Sequence, residues 1–116
     1  SMLWVAGYSF GAYVGMQLLM RRPEIRGFIS IAPPANLYDF SFLAPCPSSG
    51  LIIHCDKDAV VPANDVNTLV EKLKTQKGIV IDQQVIPGAN HFFDGKLEPL
   101  METVTGYLDM RLANVR

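Results

Sequence analysis

The stretch at residues 6–15, "AGYSFGAYVG", decides how the rest of this chain is read. It overlaps a short continuous apolar run, "LWVAG" at 3–7, the pattern of a strand buried on both faces. Beyond it, residues 10–22 are apolar nearly all round at helical spacing and stop at Arg21-Arg22-Pro23. Ser9 therefore falls in a tight strand-to-helix turn, with Gly7 two residues before it and Gly11 two residues after. Gly7 and Gly11 are expected to be small where neighbouring chain would otherwise clash. Gly11 and Gly15, four apart, are expected to share a face on which the helix lies close to a sheet. Two readings of the serine stand side by side. Its hydroxyl is either lifted above the C-terminal edge of a sheet or spent on capping the helix.

Outward from that turn, short apolar runs alternate with helical periodicity. Strands are predicted at 27–32 ("GFISIA"), 51–55 ("LIIHC") and 79–86 ("IVIDQQVI"). A helix is predicted at 64–76, where Val66, Leu69, Val70 and Leu73 fall at i, i+3, i+4 and i+7 and Gly78 is the stop. Leu97, Leu100, Met101, Val104, Tyr107, Leu108 and Leu112 form one stripe of a last helix, with Pro99 tolerable in its first turn. Residues 33–50, rich in proline and serine, read as a loop with room for one helical turn. Strands alternating with helices require parallel pairing and crossovers. The expected fold is an α/β open parallel sheet of about four strands with flanking helices, one domain over 1–116.

Composition narrows the function. Nearly half of the 116 residues are apolar and 18% are charged, as in a globular chain. A net charge of −1 with scattered Lys and Arg offers no footprint for nucleic acid. No apolar run approaches the roughly 20 residues of a membrane span, and no signal peptide opens the chain, so no membrane partner and a cytoplasmic location are expected. Ser1 ahead of Met2 reads as a scar of tag removal, with Met2 as the native start. Cys46 and Cys55 are read as reduced thiols rather than a disulfide. "HCD" at 54–56 sets potential ligands side by side on a strand, where neighbours point to opposite faces, so no metal site and no cofactor are expected.

Two further motifs join the serine. "HCDKDAVVP" at 54–62 ends a strand in a polar loop with two carboxylates, Asp56 and Asp58. "PGANHFF" at 87–93 places His91 just past the last strand. Each motif sits at a C-terminal strand edge, where open α/β sheets bind ligands, and the chain order is Ser, Asp, His.

With "GYSFG", "HCDKDAVVP" and "GANH" in view, the chain resembles the C-terminal half of an α/β-hydrolase. It is similar to the small bacterial esterases related to dienelactone hydrolases, over essentially its whole length. The resemblance implies Ser9 as nucleophile, His91 as general base and then acid, and Asp58 as the residue orienting the histidine. Asp58 is preferred to Asp56 because the family's acid stands two residues before the "VVP"-like end of that loop. His54 is a strand residue in this comparison, and Cys55 stands where the family has glycine, a change expected to shift the acid loop. The backbone amide of Phe10 is the expected oxyanion donor. The family's earlier strands, and the loop that supplies its second donor, have no counterpart in the sequence. Losing one such donor typically costs about 10²–10³ in rate. A substrate pocket is expected from Tyr8, Tyr38, Phe40, Phe42 and Phe92, although aromatic residues in a loop more often pin it to the core.

The expected function is a serine hydrolase of small carboxylic esters working through an acyl-enzyme. The alternative is an inactive hydrolase-like module that self-associates. A homodimer is expected in either case, because "LWVAG" carries no lysine, proline or charge to blunt an exposed strand edge.

Overall fold

The computed structural model describes residues 3–113, and the reading of Ser1 and Met2 lies outside them. The chain runs β1 (Leu3–Tyr8), α1 (Phe10–Arg21), β2 (Ile25–Ile31), a 3-10 turn (Ser41–Leu43), β3 (Gly50–Cys55), α2 (Ala63–Lys74), β4 (Ile81–Ile86) and α3 (Leu97–Ala113). The four strands pair in parallel in the order β1-β2-β3-β4. Every C-terminal strand end therefore opens on one edge of the sheet. The expected fold class is the observed one.

Both faces of the central strands are covered, whereas β1, expected to be buried on both faces, has no buried residue because it is the edge strand of the described sheet. Met16 and Leu19 of α1, Val66 and Val70 of α2, and Phe40 and Leu43 of the intervening loop pack on Phe28 and Ile52 of the sheet. On the opposite face Leu100 and Tyr107 of α3 pack on Ile29, Leu51, Ile53 and Ile86. All six residues of β3 are buried, which is why that strand reads as an unbroken apolar run.

The stripe predicted for the last helix is narrower than expected. Leu100 and Tyr107 are buried, with Val104 and Leu108 packed beside them. Leu97, Met101 and Leu112 are exposed; Met101 and Leu112 each follow a residue that faces the sheet, Leu100 and Arg111, and so lie off the packed face of the helix. Its C-terminal half is clamped by Arg111. The guanidinium lies 4.5 Å from the centre of the Trp4 ring. It donates to the carbonyls of Ser49 and Arg26 at 3.2 and 3.1 Å, and to the Tyr107 hydroxyl at 2.6 Å.

Candidate active site

Ser9 occupies the single residue between β1 and α1, at φ 55°, ψ −121°. Its amide donates to the Ile31 carbonyl at 2.8 Å, carrying the β1–β2 ladder into the turn. A side chain at φ near +55° is strained, at about 1–3 kcal/mol, and the surrounding packing must hold it. Gly7 lets the strand and the first helical turn touch, since a Cβ there would collide with the Gly11 carbonyl. The expectation for Gly11 is corrected: a Cβ at Gly11 would meet nothing within 4 Å. Gly15 faces the sheet alone, with Val5 Cγ2 3.3 Å from where its Cβ would stand.

The Ser9 hydroxyl makes no helix-capping bond. It lies 2.8 Å from His91 Nε2. His91 Nδ1 lies 2.7 Å from Asp58 Oδ2. A carboxylate that only accepts hydrogen bonds puts the proton on Nδ1, leaving Nε2 to accept from the serine. The Asp58 side chain is 2% exposed and that of His91 6%. The other oxygen of Asp58 accepts from the amides of Val60 and Val61, both at 2.8 Å, so its own loop fixes the carboxylate's orientation. Cys55, in place of the family's glycine, does not keep Asp58 from reaching the histidine.

Asp56 serves the backbone instead. Its Oδ1 accepts the Gly88 amide at 2.8 Å and ties the acid loop to the loop after β4. The bond from the Lys57 amide to the Ala89 carbonyl, 3.1 Å, is a second tie. Asn90 braces the histidine loop from within, its Oδ1 accepting the amides of Phe92 and Asp94. Phe93, buried at φ 56°, and Ala32, buried at φ 51°, are the other two non-glycine residues with positive φ among the described residues. Both follow strand ends on the same edge as Ser9.

The neighbouring titratable groups are set apart from this trio. His54 sits within β3, its Nε2 2.8 Å from Gln83 Nε2, and burial pushes its pKa below the usual 6.5. Cys55 points to the other face, among Ala89 and Phe93. Burial first, then the charges of Asp58 and Asp56, pushes its thiol up to about 12, the direction that favours the unreactive protonated form of a buried cysteine. Both cysteines are free and buried. Among the described residues no group of three or more His, Cys, Asp or Glu could hold a metal ion. No helix there is long and apolar enough to cross a membrane.

The five residues expected to line a substrate pocket separate into two groups. Tyr8, 42% exposed, and Phe92, 65% exposed, flank the His91 ring, at centroid distances of 5.6 and 5.4 Å. Tyr38 stacks on Tyr13 at 4.7 Å and reaches Phe10 at 5.4 Å. Phe40 and Phe42 stack on each other and meet Tyr13 edge-on, with Phe40 buried in the core. Tyr38 and Phe40 line a cavity of about 700 Å³ between their loop and α2, and Ser9, Asp58 and His91 are not among its lining residues. The loop aromatics thus pin the loop, and Phe40 and Phe42 do not wall a pocket at Ser9. One contact here escapes the sequence reading. The Tyr8 hydroxyl donates to the His91 carbonyl at 2.7 Å, a pairing across 83 positions that no local pattern signals.

No protein-family model matches the chain. An uncharacterized protein of Rickettsia prowazekii is 50% identical over 108 residues, 90% of this chain and 45% of that protein. A crystal structure from Agrobacterium tumefaciens, of a protein of unknown function provisionally classed as an α/β hydrolase, is 69% identical with a TM-score of 0.96. It is matched over 97% of this chain and 52% of its own. An α/β serine hydrolase without a lid from Xanthomonas campestris is 38% identical with a TM-score of 0.71, over 86% of this chain and 43% of its own. The chain spans about half the length of each of these proteins.

Proposed function

We propose, for a chain that has the α/β-hydrolase fold and corresponds to the C-terminal half of such a protein, that Ser9, His91 and Asp58 form the catalytic triad of a serine esterase. The observation that carries this reading is the unbroken relay from Ser9 Oγ to His91 Nε2 at 2.8 Å and from His91 Nδ1 to Asp58 at 2.7 Å. A serine hydroxyl is a weak nucleophile until a base takes its proton. His91 takes it as Oγ attacks the ester carbonyl. Phe10 is the first residue of α1, so its amide has no carbonyl four residues earlier within the helix to bond. That amide is the donor for the developing oxyanion. Collapse of the tetrahedral intermediate leaves the acyl group on Ser9, and His91 passes the proton to the departing alcohol. Water, activated by the same histidine, then releases the acid.

The site lies open between the exposed rings of Tyr8, Phe10 and Phe92, so the substrate class is small esters with short acyl chains. The lidless relative supports the same reading. With one oxyanion donor in this half, turnover is slow until a second polypeptide segment supplies the other. The chain works in the cytoplasm, without a cofactor, as a homodimer.

A second reading has its own supporting observation. β1 is at an edge of the described sheet, and Phe10, Val14 and Leu18 form an exposed apolar row beside it on α1. In this reading the chain is a self-associating module without turnover, two β1 edges pairing antiparallel. Acetyl, butyryl and long-chain p-nitrophenyl esters separate the two. The esterase reading expects hydrolysis that falls with chain length and disappears in Ser9→Ala. Equal hydrolysis by Ser9→Ala and the parent overturns it.

A further inference from the structure

The loop that carries His91 is tied on one side to the acid loop, through Gly88 on Asp56, Ala89 on Lys57 and His91 itself on Asp58. Toward the nucleophile it has two hydrogen bonds among the described residues. One is the reacting contact between Ser9 Oγ and His91 Nε2. The other runs from the Tyr8 hydroxyl to the His91 carbonyl at 2.7 Å. These two differ over a reaction cycle. Once Ser9 is acylated its hydroxyl proton is gone and the first contact lapses, whereas the second is untouched by the chemistry. The Tyr8 ring adds contact with the same loop, tilted 36° against the His91 ring and edge-on to Phe93 at 6.4 Å.

Resting on the esterase reading above, we infer that Tyr8 is a positioning residue. Its phenol holds the His91 backbone so that Nε2 stays within reach of Ser9 Oγ, and of the water that replaces it after acylation. Tyr8 is adjacent to Ser9 and ends β1, whose ladder to β2 continues through Tyr8 and Ile31. The anchor point is therefore set by the sheet rather than by a loop. Burial first, with Asp58, Cys55 and Asp94 adding to it, raises the phenol's pKa above its ordinary 10.0. The donor proton is retained throughout the range in which the histidine works.

The test compares the parent with Tyr8→Phe, which keeps the ring contacts, and with 3,5-difluorotyrosine at position 8, whose phenol ionises at much lower pH. Tyr8→Phe is expected to lower kcat about tenfold, with KM unchanged and the same circular-dichroism melting curve. The difluorotyrosine protein is expected to match the parent at low pH and to lose rate on the alkaline side, where the parent does not. A residue that only packed would leave both profiles superimposed on the parent's. A parent-like kcat in Tyr8→Phe, or coincident pH profiles, overturns the inference. If the parent itself neither hydrolyses esters nor is labelled at Ser9, the esterase reading fails, and Tyr8 is judged by imidazole nitrogen NMR. Loss of the phenol then shifts or broadens the His91 Nε2 signal while the Asp58-bonded Nδ1 signal stays. An unchanged Nε2 signal overturns the inference.

Discussion

At the C-terminal edge of the sheet, side chains from three segments bond to one another across long stretches of chain, Ser9 to His91 over 82 positions and His91 to Asp58 over 33. At the N-terminal edge, one side chain, Arg111, bonds to the backbone carbonyls of Ser49, just before β3, and Arg26, near the start of β2, and lies over Trp4. The first edge holds all three non-glycine residues with positive φ in the described chain. Strained backbone there keeps a small set of polar atoms in one geometry. The second edge secures α3 with unstrained backbone and a cation over an aromatic ring. The difference teaches where each kind of free energy is placed: substitutions at the first edge should change chemistry, and at the second, stability.

The comparison breaks first at Ser9. Ser9→Gly removes the nucleophile and suits φ 55°, so ester hydrolysis should fall to background, about 10⁶-fold. The melting temperature should rise with a gain of about 1 kcal/mol. Kinetics beside calorimetry checks both; a fall in stability would show that the turn carries no strain. Asp58→Asn comes next, at about 10⁴-fold in kcat, because an amide can donate to Nδ1 and stabilise the wrong tautomer. Asp56→Asn should cost no more than about fivefold, since its contact is a backbone tie. The reverse ranking would move the acid to Asp56.

At the opposite edge, Arg111→Ala should cost about 2 kcal/mol, from the ring contact and the lost hydrogen bonds. That lowers the melting temperature on the order of 10 °C, with the rate at room temperature unchanged. A tenfold loss of rate at unchanged stability would erase the distinction between the edges. The smallest effect is a pH dependence of stability. Burial holds the His54 pKa below its ordinary 6.5, so the unfolded chain binds the proton first as pH falls. Stability from this group is full above pH 6.5 and declines as pH drops through that value toward the folded-state pKa. His54→Gln should flatten that part of a melting-temperature profile. An unaltered profile would place the acid sensitivity elsewhere.

Much of the fold is legible because burial on both faces leaves a simple mark, the unbroken apolar run of β3; β1 carries the same mark, yet none of its residues is buried in the described sheet. Boundaries shift where pairing or side chains extend an element. β1 runs on to Tyr8 because the ladder to Ile31 continues, and β2 starts two residues early at Ile25. β4 starts at Ile81 rather than at 79, and α2 ends at Lys74. Gln76 lies beyond α2 and is committed to Cys46 and Leu43. The trio Ser9, Asp58, His91 is legible through its three motifs, each just past a strand. The choice of Asp58 over Asp56 comes from the resemblance, since both carboxylates lie in one loop and only the tertiary structure separates a partner of His91 from a partner of Gly88. Phe40 and Phe42 turn toward the core and Tyr13 rather than toward Ser9, a direction that the sequence of a loop does not carry. Tyr8 on His91 and Arg111 on Trp4 join distant residues, so no periodicity signals them.

The central claim is that this chain alone holds an assembled and activated serine. A fluorophosphonate probe tests it directly, because the probe bonds only to a hydroxyl whose proton a neighbouring base can take. Incubation of the parent and of His91→Ala, followed by mass spectrometry of the modified peptide, should find one label per chain on Ser9 in the parent and none in the variant. No label on the parent, or equal labelling of both, would contradict it.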